Sequence, residues 1–166
     1  MIYPAAKVVL VDRSQPDKLL LIYREINGIG GYEAAGGRVE VDFQLKMAEN
    51  FEACAVREIK EEVGVDVKIL NYIGSYSFFW DIKENSCSSC VVFLGEIIKG
   101  DISNINLDKS EYPHETRWVD VSDILNNKLP IRENHLGLKN ILVKAIDSMA
   151  IIDIYNSVET ELNTTY

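Results

Sequence analysis

Glu58, Glu61 and Glu62 stand at i, i+3 and i+4 within Arg57-Glu58-Ile59-Lys60-Glu61-Glu62-Val63-Gly64-Val65, so on an α-helix three carboxylates project from one face. Phe51, Ala55, Ile59 and Val63 fall on the opposite stripe, which is expected to face a core. Carboxylates this close repel by about 1 kcal/mol per pair at ~4 Å in water and about 4 kcal/mol at an effective dielectric near 20. A hard divalent cation reverses that sign. Mg²⁺ and Mn²⁺ take oxygen ligands and bind through a few carboxylates plus substrate phosphates, which an all-Glu site without His or Cys can supply. The same run also makes an ordinary solvated helix face. Context separates the two readings: Gly36-Gly37 precedes the helix, Gly64 follows it where a left-handed residue is favoured, and β-like runs flank both.

With Gly37 and Glu49 included, these residues resemble the Nudix box, the signature of hydrolases that cleave nucleoside diphosphates linked to another moiety. From Glu49 onward the match is complete, with Asn50 to Val56 as the seven-residue spacer and Ile59 and Val65 at the apolar positions. Upstream it departs. Eleven residues, Arg38 to Ala48, separate Gly37 from Glu49 where the pattern has five, an insertion of six, and Ala35 stands where the family usually has proline. The inserted Val41 to Ala48 alternates apolar and polar residues, so a flap beside the site and a surface excursion packed on its own apolar side are both open. Asn50 is a favoured N-cap type and is expected to start the helix at Phe51.

The resemblance implies an α/β (α+β) fold, a Nudix-like α/β/α sandwich with a mixed sheet. A single domain is expected over residues 1–160, including a C-terminal helix, with a disordered tail at 161–166. It implies Mg²⁺- or Mn²⁺-dependent hydrolysis of a pyrophosphate, with Glu58 and Glu62 as primary metal ligands, Glu61 as a third and the Gly36 carbonyl as a further oxygen. Such a site must neutralise charge, orient a water and hold the leaving group. Arg57 is expected to orient the carboxylates, and Glu49 to favour the positive end of the helix dipole. The general base is either a box glutamate, Glu58 or Glu61, or an acid on a later loop, Glu111 or Glu115; Glu115 lies closer to the strand that follows. Trp80 and Arg38 are the substrate-binding candidates. Tyr76, Phe78 and Phe79 add aromatic faces that either stack a base or belong to the core. Trp80 occupies the place where ADP-ribose-specialised members tend to carry proline, and the signature of reduced-dinucleotide hydrolases is missing, which leaves a nucleoside triphosphate or nucleotide-sugar. The alternatives are a non-catalytic nucleotide-sensing module, which usually loses box glutamates, and a diphosphate isomerase, which needs a reactive cysteine.

Length and charge bound the rest. A chain of 166 residues with 47% hydrophobic content suits one catalytic domain. With 26 acidic against 17 basic residues and a net charge of −9, binding of long nucleic acid is not expected, because that affinity rests on Lys and Arg neutralising phosphates. A small phosphorylated nucleotide is the expected partner. Apolar runs such as Val8 to Val11 are too short to span a membrane, and no signal-peptide pattern is present, so a cytoplasmic monomer or homodimer is expected. The three cysteines suggest reduced thiols. Cys87-Ser88-Ser89-Cys90 has the spacing of a redox pair or half a zinc knuckle, but no second pair exists to complete a zinc site, and Cys54 is expected in the core.

The elements that must position the box follow from composition. Ala5 to Val11 and Lys18 to Arg24 read as strands joined through Ser14-Gln15-Pro16-Asp17. Asn27 to Gly31 reads as a glycine-rich loop without the ending of a Walker phosphate loop. Val67 to Trp80 and Cys90 to Ile98 read as long strands around a polar loop, Asp81 to Ser89, and Arg117 to Asp120 as a short last strand. Val121 to Asn126 is expected to be a short helix and Leu136 to about Val158 a longer amphipathic one, with Pro130 between them.

Overall fold

The structure is a computed structural model that describes residues 1–26, 28–42, 44–81, 85–102 and 114–164, the side chains of 26, 80, 81 and 154–164 excepted. Alternation along the first strand, β1 (Ile2–Val11), sets the architecture. Ala5, Val9 and Val11 point into one apolar cluster and Ala6, Val8 and Leu10 into another, as a strand buried on both faces requires. β1 is central. It runs parallel to β7 (Ser86–Lys99) and meets β2 (Lys18–Ile26) antiparallel at Leu10 and Leu20. β2 carries β3 (Ile29–Glu33) and β8 (Glu115–Asp120), and β6 (Asp66–Asp81) closes the far edge against β7.

Helices cover both faces. Cys54, Ala55, Ile59 and Val63 of α1 (Phe51–Glu62) and its C-cap pack with Ala6, Val8 and Leu10, while Leu138, Ile141, Leu142 and Ala145 of α3 (Leu138–Thr164) and Ile124 of α2 (Val121–Leu125) pack on the other side. The result is the expected α/β/α sandwich on a mixed sheet.

Several boundaries differ from the expectation. The loop expected at Asn27 to Gly31 contains the start of β3, because glycine serves packing there: a Cβ on Gly30 would fall 1.8 Å from the Tyr23 hydroxyl and one on Gly31 2.7 Å from the Arg132 backbone nitrogen. β7 begins at Ser86, so most of the polar loop is strand. β8 begins at Glu115, two residues earlier than read, and α3 starts at Leu138 and continues past Val158. Phe51 does not join the buried stripe of α1. It is 38% exposed, and Cys54, fully buried, takes the inward place one turn on.

The insertion forms a small hairpin, β4 (Val41–Asp42) with β5 (Met47–Ala48). Its neck is closed by Glu49 N–H donating to the Glu40 carbonyl at 2.9 Å and Glu40 N–H donating to Glu49 Oε2 at 3.2 Å. Val41, Leu45 and Met47 are exposed, so these apolar side chains are not packed away.

Candidate active site

Local chemistry fixes α1 at both ends. Asn50 Oδ1 accepts from Ala53 N–H at 2.8 Å, as an N-cap should. Gly64, at φ +85°, turns left-handed and donates to the Ile59 carbonyl at 3.2 Å. Burial of Cys54, Ala55 and Ile59 then sets the rotation of the helix, leaving Glu58 and Glu62 half-buried and Glu61 exposed. They meet the glycine turn, which is clipped onto β1 by Ala6 N–H donating to the Gly37 carbonyl at 3.0 Å and Val8 N–H to that of Ala35 at 2.8 Å. Gly36 sits at φ +128°, where a Cβ would lie 2.2 Å from the Ala6 oxygen. A Cβ on Gly37 would lie 2.4 Å from the Glu58 carboxyl carbon, so Glu58 covers the turn directly. Glu62 Oε2 accepts from Gly36 N–H at 2.8 Å.

Arg57 binds this helix to the segment before it. Its Nε and Nη2 donate to the two oxygens of Glu49 at 3.0 and 2.9 Å, and its Nη1 donates to Glu58 at 2.9 Å and Glu61 at 3.3 Å. Nη2 also reaches the Arg38 carbonyl at 3.1 Å. The fork geometry of a guanidinium suits this gathering of carboxylates. Hydrogen bonds from Arg57 hold the Glu49 carboxyl below its usual range. Burial pushes Glu58 the other way, and the charges of Glu62 and Glu61 add to burial in spite of Arg57.

Behind the glycine turn lies a buried polar wall that sequence reading missed. Lys7, on β1, donates from Nζ to the Gly36 carbonyl at 2.7 Å. Glu33, 4% exposed, is held by Arg132 at 2.5 Å and by Arg24 and His135 at 3.2 Å each. Burial alone would raise its carboxyl, but Lys7, Arg24 and Arg132 override that and hold it at about 2. Burial drives His135 down to about 3, aided by Lys7 and the two arginines against Glu33. The neutral ring is satisfied at both nitrogens, with Nε2–H donating to Glu33 and Nδ1 accepting from the Tyr76 hydroxyl at 2.9 Å. This wall adjoins a cleft of about 540 Å³ lined by Ile29 and Gly30, Ser77 to Phe79, and Arg132 to Asn134. The Phe78 ring stacks on His135 with centroids 3.9 Å apart, whereas Phe79 is exposed. Charged Glu33 and Lys7 inside otherwise apolar strands were the available signal.

The other candidates are scattered. Glu115 opens β8 instead of lying on a loop, and its Oε2 accepts from Arg117 Nε at 2.9 Å and Nη2 at 2.7 Å; it is not among the carboxylates gathered by Arg57. Glu111 lies outside the described residues. The Arg38 guanidinium lies over the Tyr3 ring, 4.4 Å from its centroid. Trp80 falls near the end of β6, its side chain outside the described residues. Tyr76 is core, as one of the two readings held. Cys54 is buried and its thiol is pushed up to about 12 by burial, with Glu49 and Glu58 adding to it, which removes it as a nucleophile. Cys87 and Cys90, three apart on β7, are separated by about 10 Å of strand and cannot form a disulfide.

Comparison with known proteins agrees with this fold. The family model of the NUDIX domain matches residues 1–138. The chain is 26% identical over 117 residues to the NAD-capped RNA hydrolase NudC of Vibrio atlanticus (strain LGP32), covering 70% of this chain and 38% of that protein. It is 36% identical over 95 residues to NudC of Pseudomonas aeruginosa (strain LESB58), covering 57% and 30%. The chain therefore spans about a third of the length of these curated relatives. Among solved structures, the MutT NUDIX hydrolase from Burkholderia pseudomallei superposes with a TM-score of 0.63 at 21% identity, covering 87% of this chain and 98% of that one, a likeness of fold. The complete Arg57-to-Gly64 box on its capped helix, the sandwich that carries it and the match over residues 1–138 place this chain in the Nudix family of hydrolases.

Proposed function

We propose that the protein hydrolyses the pyrophosphate of a small nucleotide, a nucleoside triphosphate or a nucleotide-sugar, with Mg²⁺ or Mn²⁺ as its cofactor. The observation that carries this is the arrangement of Glu58 and Glu62 against Gly37 and Gly36 while Arg57 ties Glu58 and Glu61 to Glu49.

The donors fit a hard cation. Glu58, Glu61, Glu62 and the Gly36 carbonyl are all oxygens, and burial beside two like charges disposes Glu58 towards a positive partner. Among the described residues no three His, Cys, Asp or Glu side chains are already drawn together as a metal site; Glu58 is turned to Arg57 and Glu62 to the Gly36 N–H. When bound, a divalent cation neutralises pyrophosphate charge and makes water a better proton donor. Arg57 holds the carboxylates in register on the helix face. Glu61, on the same helix as Glu58 and Glu62, is the proton acceptor we favour over Glu115, which lies apart from them on β8. The cleft beside Arg132 takes the organic moiety, with Ile29 and Phe79 as its exposed apolar surfaces, and Trp80 and Arg38 are held as further substrate contacts.

The relatives' activity on NAD-capped RNA widens the panel that tests this reading. Product release should be followed from nucleoside triphosphates, nucleotide-sugars, ADP-ribose, dinucleoside polyphosphates, NAD and NAD-capped RNA, each with Mg²⁺, Mn²⁺ or a chelator. Metal-dependent cleavage of a triphosphate or nucleotide-sugar supports the proposal. Preference for NAD or capped RNA would replace the substrate, and binding without turnover across the panel would replace hydrolysis by sensing.

A further inference from the structure

Lys7 is a buried ammonium group, 7% exposed, whose Nζ lies 2.7 Å from the Gly36 carbonyl oxygen. A buried charge ordinarily requires a charged partner or a dense set of hydrogen bonds. The adjoining carboxylate, Glu33, already accepts from Arg132, Arg24 and neutral His135. Lys7, Arg24 and Arg132 therefore all act on the one buried carboxylate of Glu33, inside a chain whose net charge is −9. Lys7 spends its short hydrogen bond on a carbonyl dipole, and that carbonyl belongs to the proposed divalent-cation donor set.

We propose that Lys7 is a built-in cation that couples metal binding to the arrival of the anionic substrate. A carbonyl oxygen has two lone pairs and can accept Lys7 while facing a second cation. Two cations on one oxygen repel each other, so Lys7 weakens divalent binding to the protein alone. A pyrophosphate bound at that metal brings negative charge that attracts both cations and so offsets the repulsion. Metal and substrate then each raise the other's affinity, and by linkage the two enhancements are equal. This inference rests on the proposed metal-dependent reading of the site. A purely structural Lys7, one that merely holds the Gly36 carbonyl in place, makes the opposite prediction, since its loss would disorder a metal ligand and weaken binding.

The sign of one measurement separates the two. Free Mn²⁺ is titrated by electron paramagnetic resonance against the wild type, Lys7→Met and Lys7→Arg, alone and with a methylene-bridged nucleoside diphosphate. Lys7→Met should bind Mn²⁺ about fivefold or more tighter without the nucleotide and show a smaller gain when it is added, whereas Lys7→Arg should stay close to wild type. Equal or weaker Mn²⁺ binding by Lys7→Met, in a wild type that does bind Mn²⁺, overturns the coupling role and leaves the metal site standing. No Mn²⁺ bound by the wild type overturns both. If Lys7→Met does not fold, Lys7→Gln replaces it, since it keeps a neutral donor, and tighter binding is again required.

Discussion

Arg57 and Glu62 tie the box helix to what precedes it in different ways, and the difference can be tested at single residues. Arg57 reaches back to Glu49 and the Arg38 carbonyl, while Glu62 accepts from Gly36 N–H. Glu62→Gln keeps an acceptor for that N–H but removes one charge from the helix face, so kcat with Mg²⁺ should fall by about 10²-fold or more while the far-UV spectrum stays unchanged. A variant retaining most of its activity would remove Glu62 from the metal ligands. The buried wall gives a second prediction. His135, held at about 3 in the fold, stays neutral where the unfolded chain, titrating near 6.5, takes up a proton. Glu33, held at about 2 against an ordinary 4.5, behaves likewise at lower pH. In both windows the unfolded state binds more protons, so stability falls as pH is lowered, first through the histidine range and then through the carboxylate range. Urea midpoints should drop between about pH 7 and about pH 4, and a flat profile would contradict the charges assigned to this wall. The box was legible in the sequence because its residues recur within one helix, at spacings that helical geometry converts into a face. The wall was not legible, because Glu33 meets Arg132 across 99 positions and Lys7 meets Gly36 across 29. Such pairings depend on strand register.

The inserted hairpin is the element with the most open role. Its neck is Glu49, the same residue that Arg57 grips, yet Val41, Leu45 and Met47 project outward. Deleting Asp42 to Met47 shortens the eleven-residue spacer to the five of the box pattern. Because those side chains bury little, the deletion should change stability by no more than about 0.5 kcal/mol. If the hairpin is a flap, relative kcat/KM across the nucleotide panel should shift; unchanged kinetics would make it a passive excursion. Element types were mostly readable, since β-branched and aromatic runs became β6 and β7 and the Asn50 and Gly64 punctuation bounded α1. β3 was hidden by its own composition. Gly30 and Gly31 look like loop residues until Tyr23 and Arg132 are seen to occupy the space a side chain would need.

At the scale of the molecule, the family match stops at residue 138 while the core does not. Leu138, Ile141, Leu142 and Ala145 are buried against the sheet face opposite the box helix. A chain ending at Gly137 would expose that face, so it should lose cooperative unfolding in urea, and a truncated form with a native-like transition would show that α3 is dispensable. No helix among the described residues is long and apolar enough to cross a membrane.

The parallel pairing of β1 with β7 has a temporal consequence. Ile2 lies beside Cys87 and Val11 beside Glu96, so β1 cannot find this neighbour until the 85 positions that separate each pair have been synthesised. Pairings between residues so distant in sequence are slow to form. The glycine turn hangs on β1 through Ala6 and Val8. The catalytic geometry is therefore expected to mature late, after β7 has docked, and nascent chains that stall earlier would carry an intact box sequence without a working site.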